Sequence, residues 1–248
     1  NLFKFIMKIY NSSINSNNFD KLPRNIRDIR YIIIHYTGMQ SEVEAIKKLS
    51  DTKSKVSCHF LINKKGSVIK MVPERFIAWH AGKSSWKKLK SLNKFSIGIE
   101  LTNFGHSFGY KKFPKKQIFS LIKILKFLIK KYKIPKDNIL GHSDIAPLRK
   151  KDPGEKFPWE NLSKKNISIW HNFKKDYLKK NRRINTSKKE KKFFFKLLKK
   201  IGYKTKYNLK KSLYEKKLIK AFQRRFRPEL ISGNIDQECL LISKNIAF

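Results

Sequence analysis

After Pro114 the apolar residues Ile118, Leu121, Ile122, Leu125, Leu128, Ile129 and Tyr132 fall at i, i+3, i+4, i+7, i+10, i+11 and i+14. This is one face of a long amphipathic helix, and a stripe of that length must be buried against a broad apolar surface. The preceding sequence supplies one. Tyr31-Ile-Ile-Ile-His35 and Ser96-Ile-Gly-Ile-Glu-Leu101 are short β-branched runs of buried-strand type. Cys58-His-Phe-Leu-Ile-Asn63 and Ser67-Val-Ile-Lys-Met-Val72 read as a hairpin that turns at Gly66. Ser41 to Ser50 reads as a helix with Ser41 as N-cap and Glu44 at the capping-box position. Ile134-Pro135 ends the long helix, and Asn138 to Gly141 leads into a polar segment, 142–159, that reads as a loop. The expected fold class is α/β, a mixed central β-sheet flanked by helices.

Beyond Ser163 the apolar periodicity fades and Lys, Asn and Arg accumulate, as in Lys179-Lys-Asn-Arg-Arg183. Such a stretch is a linker or a solvated helix. Phe193 to Ile201 and Leu213 to Phe226 are helical patterns, and Gly233-Asn-Ile-Asp236 turns into a last helix over 237–245 with Asp236 as its N-cap. The expected division is a flexible N-terminal lead-in over 1–27, a main domain over 28–162, a basic linker over 163–192 and a small C-terminal three-helix domain over 193–248.

Charge constrains partners more than fold. The 248 residues carry 59 Lys+Arg against 18 Asp+Glu, a formal net charge of +41. The basic residues are overwhelmingly Lys and lie along the whole length, which makes a field that favours any polyanion without marking a specific nucleic-acid site. No run approaches the ~18 uninterrupted apolar residues of a membrane span, so no transmembrane segment is expected. Leu2 to Tyr10 is a short apolar stretch broken by two lysines and reads as a poor secretory signal. Cys58 and Cys239 are far apart, which leaves neither a disulfide scaffold nor a CxxC metal site.

Six histidines remain as candidates for chemistry, at 35, 59, 80, 106, 142 and 171. His35 ends a strand, where side chains open onto a cleft. His142 stands in Gly141-His-Ser-Asp-Ile-Ala-Pro147, with Asp152 ten positions on. Two imidazoles and a carboxylate have the composition of a catalytic zinc site with three protein ligands and one open position. A histidine at a strand end is more often an ordinary polar residue, and spacing alone leaves both readings open. His106 and His171 have no supporting context and read as surface residues.

The segments Ile33-Ile-His-Tyr-Thr-Gly38, Trp79-His-Ala-Gly82, Ser96-Ile-Gly-Ile-Glu-Leu101 and Gly141-His-Ser-Asp-Ile-Ala-Pro147 with Lys150-Lys-Asp-Pro-Gly154 resemble, in this order, the type 2 N-acetylmuramoyl-L-alanine amidases. The likeness covers roughly residues 28 to 162. Peptidoglycan recognition proteins share that fold. The resemblance implies that His35, His142 and Asp152 hold Zn²⁺, that Glu100 is the catalytic glutamate and Lys150 the catalytic lysine. His59, Trp79 and His80 fall in segments that line the groove in this family, and are expected to contact substrate or to pack. Leu148 and Lys151 depart from the common pattern beside the motif. The stretch Leu218 to Phe226 with Pro228 and Gly233 to Asp236 is similar to the three-helix peptidoglycan-binding domain of wall hydrolases.

The activity implied by the resemblance is zinc-dependent hydrolysis of the bond between the muramic acid lactyl group and L-alanine, on peptidoglycan or muropeptides in wall turnover and recycling. A monomer in the bacterial cell envelope, periplasmic or outer-membrane associated, is expected, with cytoplasmic recycling as the other location. The alternatives are a non-catalytic peptidoglycan recognition protein and, last, a charge-driven nucleic-acid binder.

Overall fold

The computed structural model describes residues 16–206, 208 and 210–248. In chain order its strands are β1 (Phe19–Asp20), β2 (Tyr31–Tyr36), β3 (Phe60–Ile62), β4 (Val68–Lys70), β5 (Ile77–Ala78), β6 (Ser85–Trp86), β7 (Leu89–Lys90), β8 (Ser96–Leu101) and β9 (Ile139–Gly141). The helices are α1 (Glu42–Ser50), α2 (Lys115–Tyr132), α3 (His142–Ile145), α4 (Trp159–Lys164), α5 (Lys175–Asn181), α6 (Lys188–Ile201), α7 (Lys211–Phe226) and α8 (Gln237–Ala247). Five strands form the central sheet in the order β4-β3-β8-β2-β9. The β3–β4 hairpin is antiparallel and the other three pairings are parallel, so the sheet is mixed as expected.

Strand alternation separates scaffold from site. Ile97, Ile99 and Leu101 of β8 join Ile32, Ile34, Phe60 and Ile62 in a core covered by the α2 stripe of Ile118, Leu121, Ile124, Leu125 and Leu128. Intervening positions of β8 place Ser96, Gly98 and Glu100 on the opposite face. There the parallel register sets His35 opposite Glu100. Further along this face Tyr31, Ile33 and Leu140 are covered by Phe194, Leu197, Leu198, Leu218, Phe222 and Phe226 of the C-terminal helices. The C-terminal helices therefore share a core with the sheet.

Three segments differ from the sequence reading. Helix α6 begins at Lys188, ahead of its first apolar residue, because Ser187 and Glu190 cap it reciprocally. Segment 142–159 is not all loop: α3 starts at His142. The Asp144 carboxylate accepts the Gly141 N–H at 2.7 Å and is itself held by Arg225 and Tyr203, each at 2.6 Å. Of the expected flexible lead-in, residues 1–15 lie outside the described part. Residues 16–27 are tied down. Asn18 donates to the Asp51 and Val56 carbonyls, and Arg24 is buried among backbone oxygens that include Glu74 and Ser96.

Asp144 and Arg225 are both buried, so loss of one partner strands the other's charge. Arg225→Ala is expected to lower the stability by about 3–5 kcal/mol, read as a shift of the urea unfolding midpoint. An unchanged midpoint would show that the pair does not join the helices to the sheet.

Candidate metal centre

Three elements deliver the donors. His35 is next to last in β2, on the same face as Tyr31 and Ile33. His142 opens α3, and the Asp152 carbonyl accepts the Ser143 N–H at 2.8 Å, which folds the Asp152 turn back on the helix. His35 Nδ1, His142 Nδ1 and Asp152 Oδ2 consequently form a triangle with sides of 2.9, 3.1 and 3.0 Å. All three residues are buried.

The triangle fits a metal ion better than a set of hydrogen bonds. Bonds of 2.0–2.2 Å at tetrahedral angles put neighbouring ligand atoms ~3.3 Å apart. Two imidazole nitrogens facing each other across a carboxylate oxygen cannot all be satisfied by one proton, whereas a central cation takes a lone pair from each. Burial pushes the Asp152 carboxyl up, but the adjoining His142 and His35 imidazoles hold it well below the usual carboxylate range. Burial, reinforced by His142, lowers His35 to about 4, so its ring is neutral and able to bind a metal at neutral pH.

Glu100, Lys150, Trp79 and His80 line the same cleft, whose volume is about 430 Å³. Glu100 Oε2 is buried and has no hydrogen-bond partner among the described residues. Burial, with a contribution from Asp152, raises its carboxyl to about 8, and Lys150 pulls in the other direction. Trp79 is half-buried and donates through Nε1 to Asp20 at 2.7 Å. His80 stands behind His35, with its Nδ1 3.0 Å from His35 Nε2. His59 does not reach the cleft. Its Nδ1 accepts the Gly98 N–H at 2.9 Å and its Nε2 lies 3.2 Å from the Phe76 carbonyl, so it stitches β3 to β8 and to the β5 approach.

Both histidines read as surface residues are placed otherwise. His106 lines the cleft, with Tyr36 Oη 2.8 Å from its Nδ1 and Glu155 3.1 Å from its Nε2. The loop returns over Tyr36 at Gly105, whose φ is +67° and where a Cβ would stand 2.6 Å from the tyrosine ring. His171 is buried against Trp170 and lines a second cavity of about 300 Å³ beside the C-terminal helices. Arg149, singled out by nothing in its local sequence, donates to the Ala81 and Lys83 carbonyls at the cleft wall.

The family model described as N-acetylmuramoyl-L-alanine amidase matches residues 25–155. The N-acetylmuramoyl-L-alanine amidase AmiD of Escherichia coli (strain K12) is 35% identical over 228 residues, spanning 87% of this chain and 81% of AmiD. The 1,6-anhydro-N-acetylmuramyl-L-alanine amidase AmpD of Haemophilus influenzae is 36% identical over 165 residues, 59% of this chain and 87% of AmpD. Among solved structures, E. coli AmiD in complex with anhydro-N-acetylmuramic acid-L-Ala-D-gamma-Glu-L-Lys superposes with a TM-score of 0.78 at 32% identity, covering 92% of this chain and 91% of AmiD. AmpDh3 of Pseudomonas aeruginosa also gives 0.78, at 27% identity over 94% and 96% of the two chains.

The Glu100 environment sets a pH dependence in the metal-free protein. Below pH 4.5 the carboxyl is protonated in both folded and unfolded chains and contributes nothing. Between 4.5 and about 8 only the unfolded chain ionises, so stability falls as pH rises through that window. Relative to wild type, chelated Glu100→Gln protein should gain stability by up to about 1.4 kcal/mol per pH unit across the window, and none below it. Urea titrations at several pH values measure this, and parallel curves for the two proteins would refute it.

Proposed function

The chain belongs to the N-acetylmuramoyl-L-alanine amidase family, and from that footing we propose how its cleft divides the work: His35, His142 and Asp152 hold Zn²⁺, Glu100 moves the proton and Lys150 meets the developing negative charge. The protein hydrolyses the amide between the lactyl group of muramic acid and L-alanine in peptidoglycan or muropeptides, in wall turnover and recycling. The observation that carries the residue assignment is a buried triangle of donors about 3 Å on a side, opening on the same cleft as an unpartnered glutamate oxygen and a lysine.

Bound there, Zn²⁺ would supply a Lewis acid that polarises the scissile carbonyl and lowers the pKa of water to about 7. Glu100 accepts the proton of the attacking water and returns it to the departing alanine nitrogen. Its free Oε2 and upward-shifted carboxyl suit an exchange of this kind near neutral pH. Lys150, two residues before Asp152 and on the cleft wall, provides a fixed cation for the oxyanion, a contribution of about 2.7–4 kcal/mol for a single donor. Trp79 borders the cleft where a sugar or stem peptide would lie.

No described helix is long and apolar enough to cross a membrane. We place the protein in the bacterial envelope as a monomer, with catalysis in 28–162. The helices of 193–248 serve as a wall-contacting module that is packed on the catalytic sheet. The net charge of +41 supports this by drawing the protein to anionic wall polymer.

Release of stem peptide from muropeptides is the test. Chelation should abolish release and Zn²⁺ restore it. Glu100→Ala should lower turnover by about 10²–10⁴-fold, while muropeptide affinity stays near the wild-type value. Lys150→Ala should lower kcat by about 10²–10³-fold. Equal release by chelated and zinc-restored protein would remove the metal from the account, and full turnover by Glu100→Ala would remove the glutamate.

A further inference from the structure

Both metal-facing imidazoles need their remaining proton fixed on the far nitrogen, and one dipeptide supplies both acceptors. With Nδ1 of His35 and of His142 turned toward Asp152, each ring's N–H is assigned to Nε2. His142 Nε2 lies 3.1 Å from the Ala81 carbonyl. His35 Nε2 lies 3.0 Å from His80 Nδ1. His80 must then offer a lone pair on Nδ1 and carry its own proton on Nε2, 3.2 Å from Ser96 Oγ. Ser96 donates its hydroxyl O–H to the Leu92 carbonyl at 2.6 Å. A carbonyl only accepts, so the direction of the whole chain from His35 to Leu92 is determined.

The dipeptide is itself held in place by the segment that leads into β8. Asn93 Oδ1 accepts both the His80 N–H at 3.2 Å and the Ala81 N–H at 2.7 Å. Gly98 leaves room for the imidazole, since a Cβ there would stand 2.3 Å from His80 Cγ. Arg24 donates to the Ser96 carbonyl at 2.7 Å and fixes the far end. His80 and Ser96 are both buried, so water does not compete for these bonds.

We propose that His80-Ala81, seated on Asn93, Ser96 and Gly98, is the common outer support of both imidazole ligands: the His80 ring is a positioning residue that sets the tautomer and orientation of His35, and the Ala81 carbonyl does the same for His142. The proposal rests on the reading of His35, His142 and Asp152 as metal ligands. Outer partners of metal-binding histidines typically govern about 10–100-fold of metal affinity, so this pair accounts for a loss of that size without touching the ion.

The experiment is Zn²⁺ affinity by competition with a chromogenic chelator on the full chain, paired with thermal unfolding of the metal-free protein. Asp152→Ala is the control for the site: if it binds Zn²⁺ as wild type does, the ligand reading fails and the proposal falls with it. With that control lost as expected, His80→Ala and Ser96→Ala should each weaken Zn²⁺ by about 10–100-fold, and Asn93→Ala should weaken it although its side chain contacts neither metal-facing ring. His80→Asn, whose side-chain oxygen can accept from His35 Nε2, should recover most of the affinity lost in His80→Ala. Should His80→Ala fail to fold, Ser96→Ala and His80→Asn decide. Wild-type affinity in Ser96→Ala, or a folded His80→Asn that binds as weakly as a variant with no acceptor at all, would overturn the support role while leaving the three ligands in place.

Discussion

The parallel ladder between β2 and β8 is the constraint on which the remaining chemistry depends. Six consecutive residues pair in register, from Tyr31 with Ser96 to Tyr36 with Leu101. Because side chains alternate with period two, this register decides at once which residues enter the α2 core and which face the cleft. It sets His35 beside Glu100, and it places Gly98 where the His80 ring needs space. A one-residue slip of β8 would bury Glu100 among isoleucines, and one of β2 would turn His35 away from Asp152. The paired isoleucines make such a slip costly, so the geometry of the site is enforced by burial of residues that take no part in it.

The electrostatics of the centre are nearly independent of the chain's overall charge. Lysines cover the surface, but the donor triangle contains one carboxylate and two imidazoles, and burial holds His35 and, behind it, His80 in their neutral forms. With both metal-facing nitrogens unprotonated, the triangle would present a single negative charge and two lone pairs to one point, a match for a divalent cation. Lys150 and Arg149 stand at the cleft wall and bring positive charge to its rim. A net charge of +41 makes a long-range field that favours polyanions, whereas the site's own chemistry is set by buried groups.

Most of the scaffold was legible because its signals are local. The α2 stripe, the β-branched runs and the Gly66 hairpin each state their own burial pattern within a few residues. The triangle was legible only through motif resemblance, since His35 and Asp152 stand 117 positions apart and no spacing rule joins them. Other features depend on contacts that a linear reading does not contain. His106 looks like a surface residue until the Gly105 turn brings it over Tyr36. His59 shares a motif segment with groove residues, yet the β3–β8 pairing turns its ring into the backbone between the strands. Asn93 looks like loop polarity and Ser96 like the polar first residue of a strand, and their role depends on the Trp79-His-Ala-Gly82 segment folding onto them. In the C-terminal region the helices are evident from their own periodicity. Their partner is not, because the apolar face they cover belongs to Tyr31, Ile33 and Leu140, far away in sequence.

That shared core changes how such a chain can be taken apart. Asp144 receives Tyr203 and Arg225 from the last third of the sequence while also capping the short helix that begins with His142. Cutting between the two regions would wet one side of the sheet and loosen the very turn from which His142 projects. The tail is thus not a detachable accessory that recombination could swap for another unit without repacking the sheet it covers.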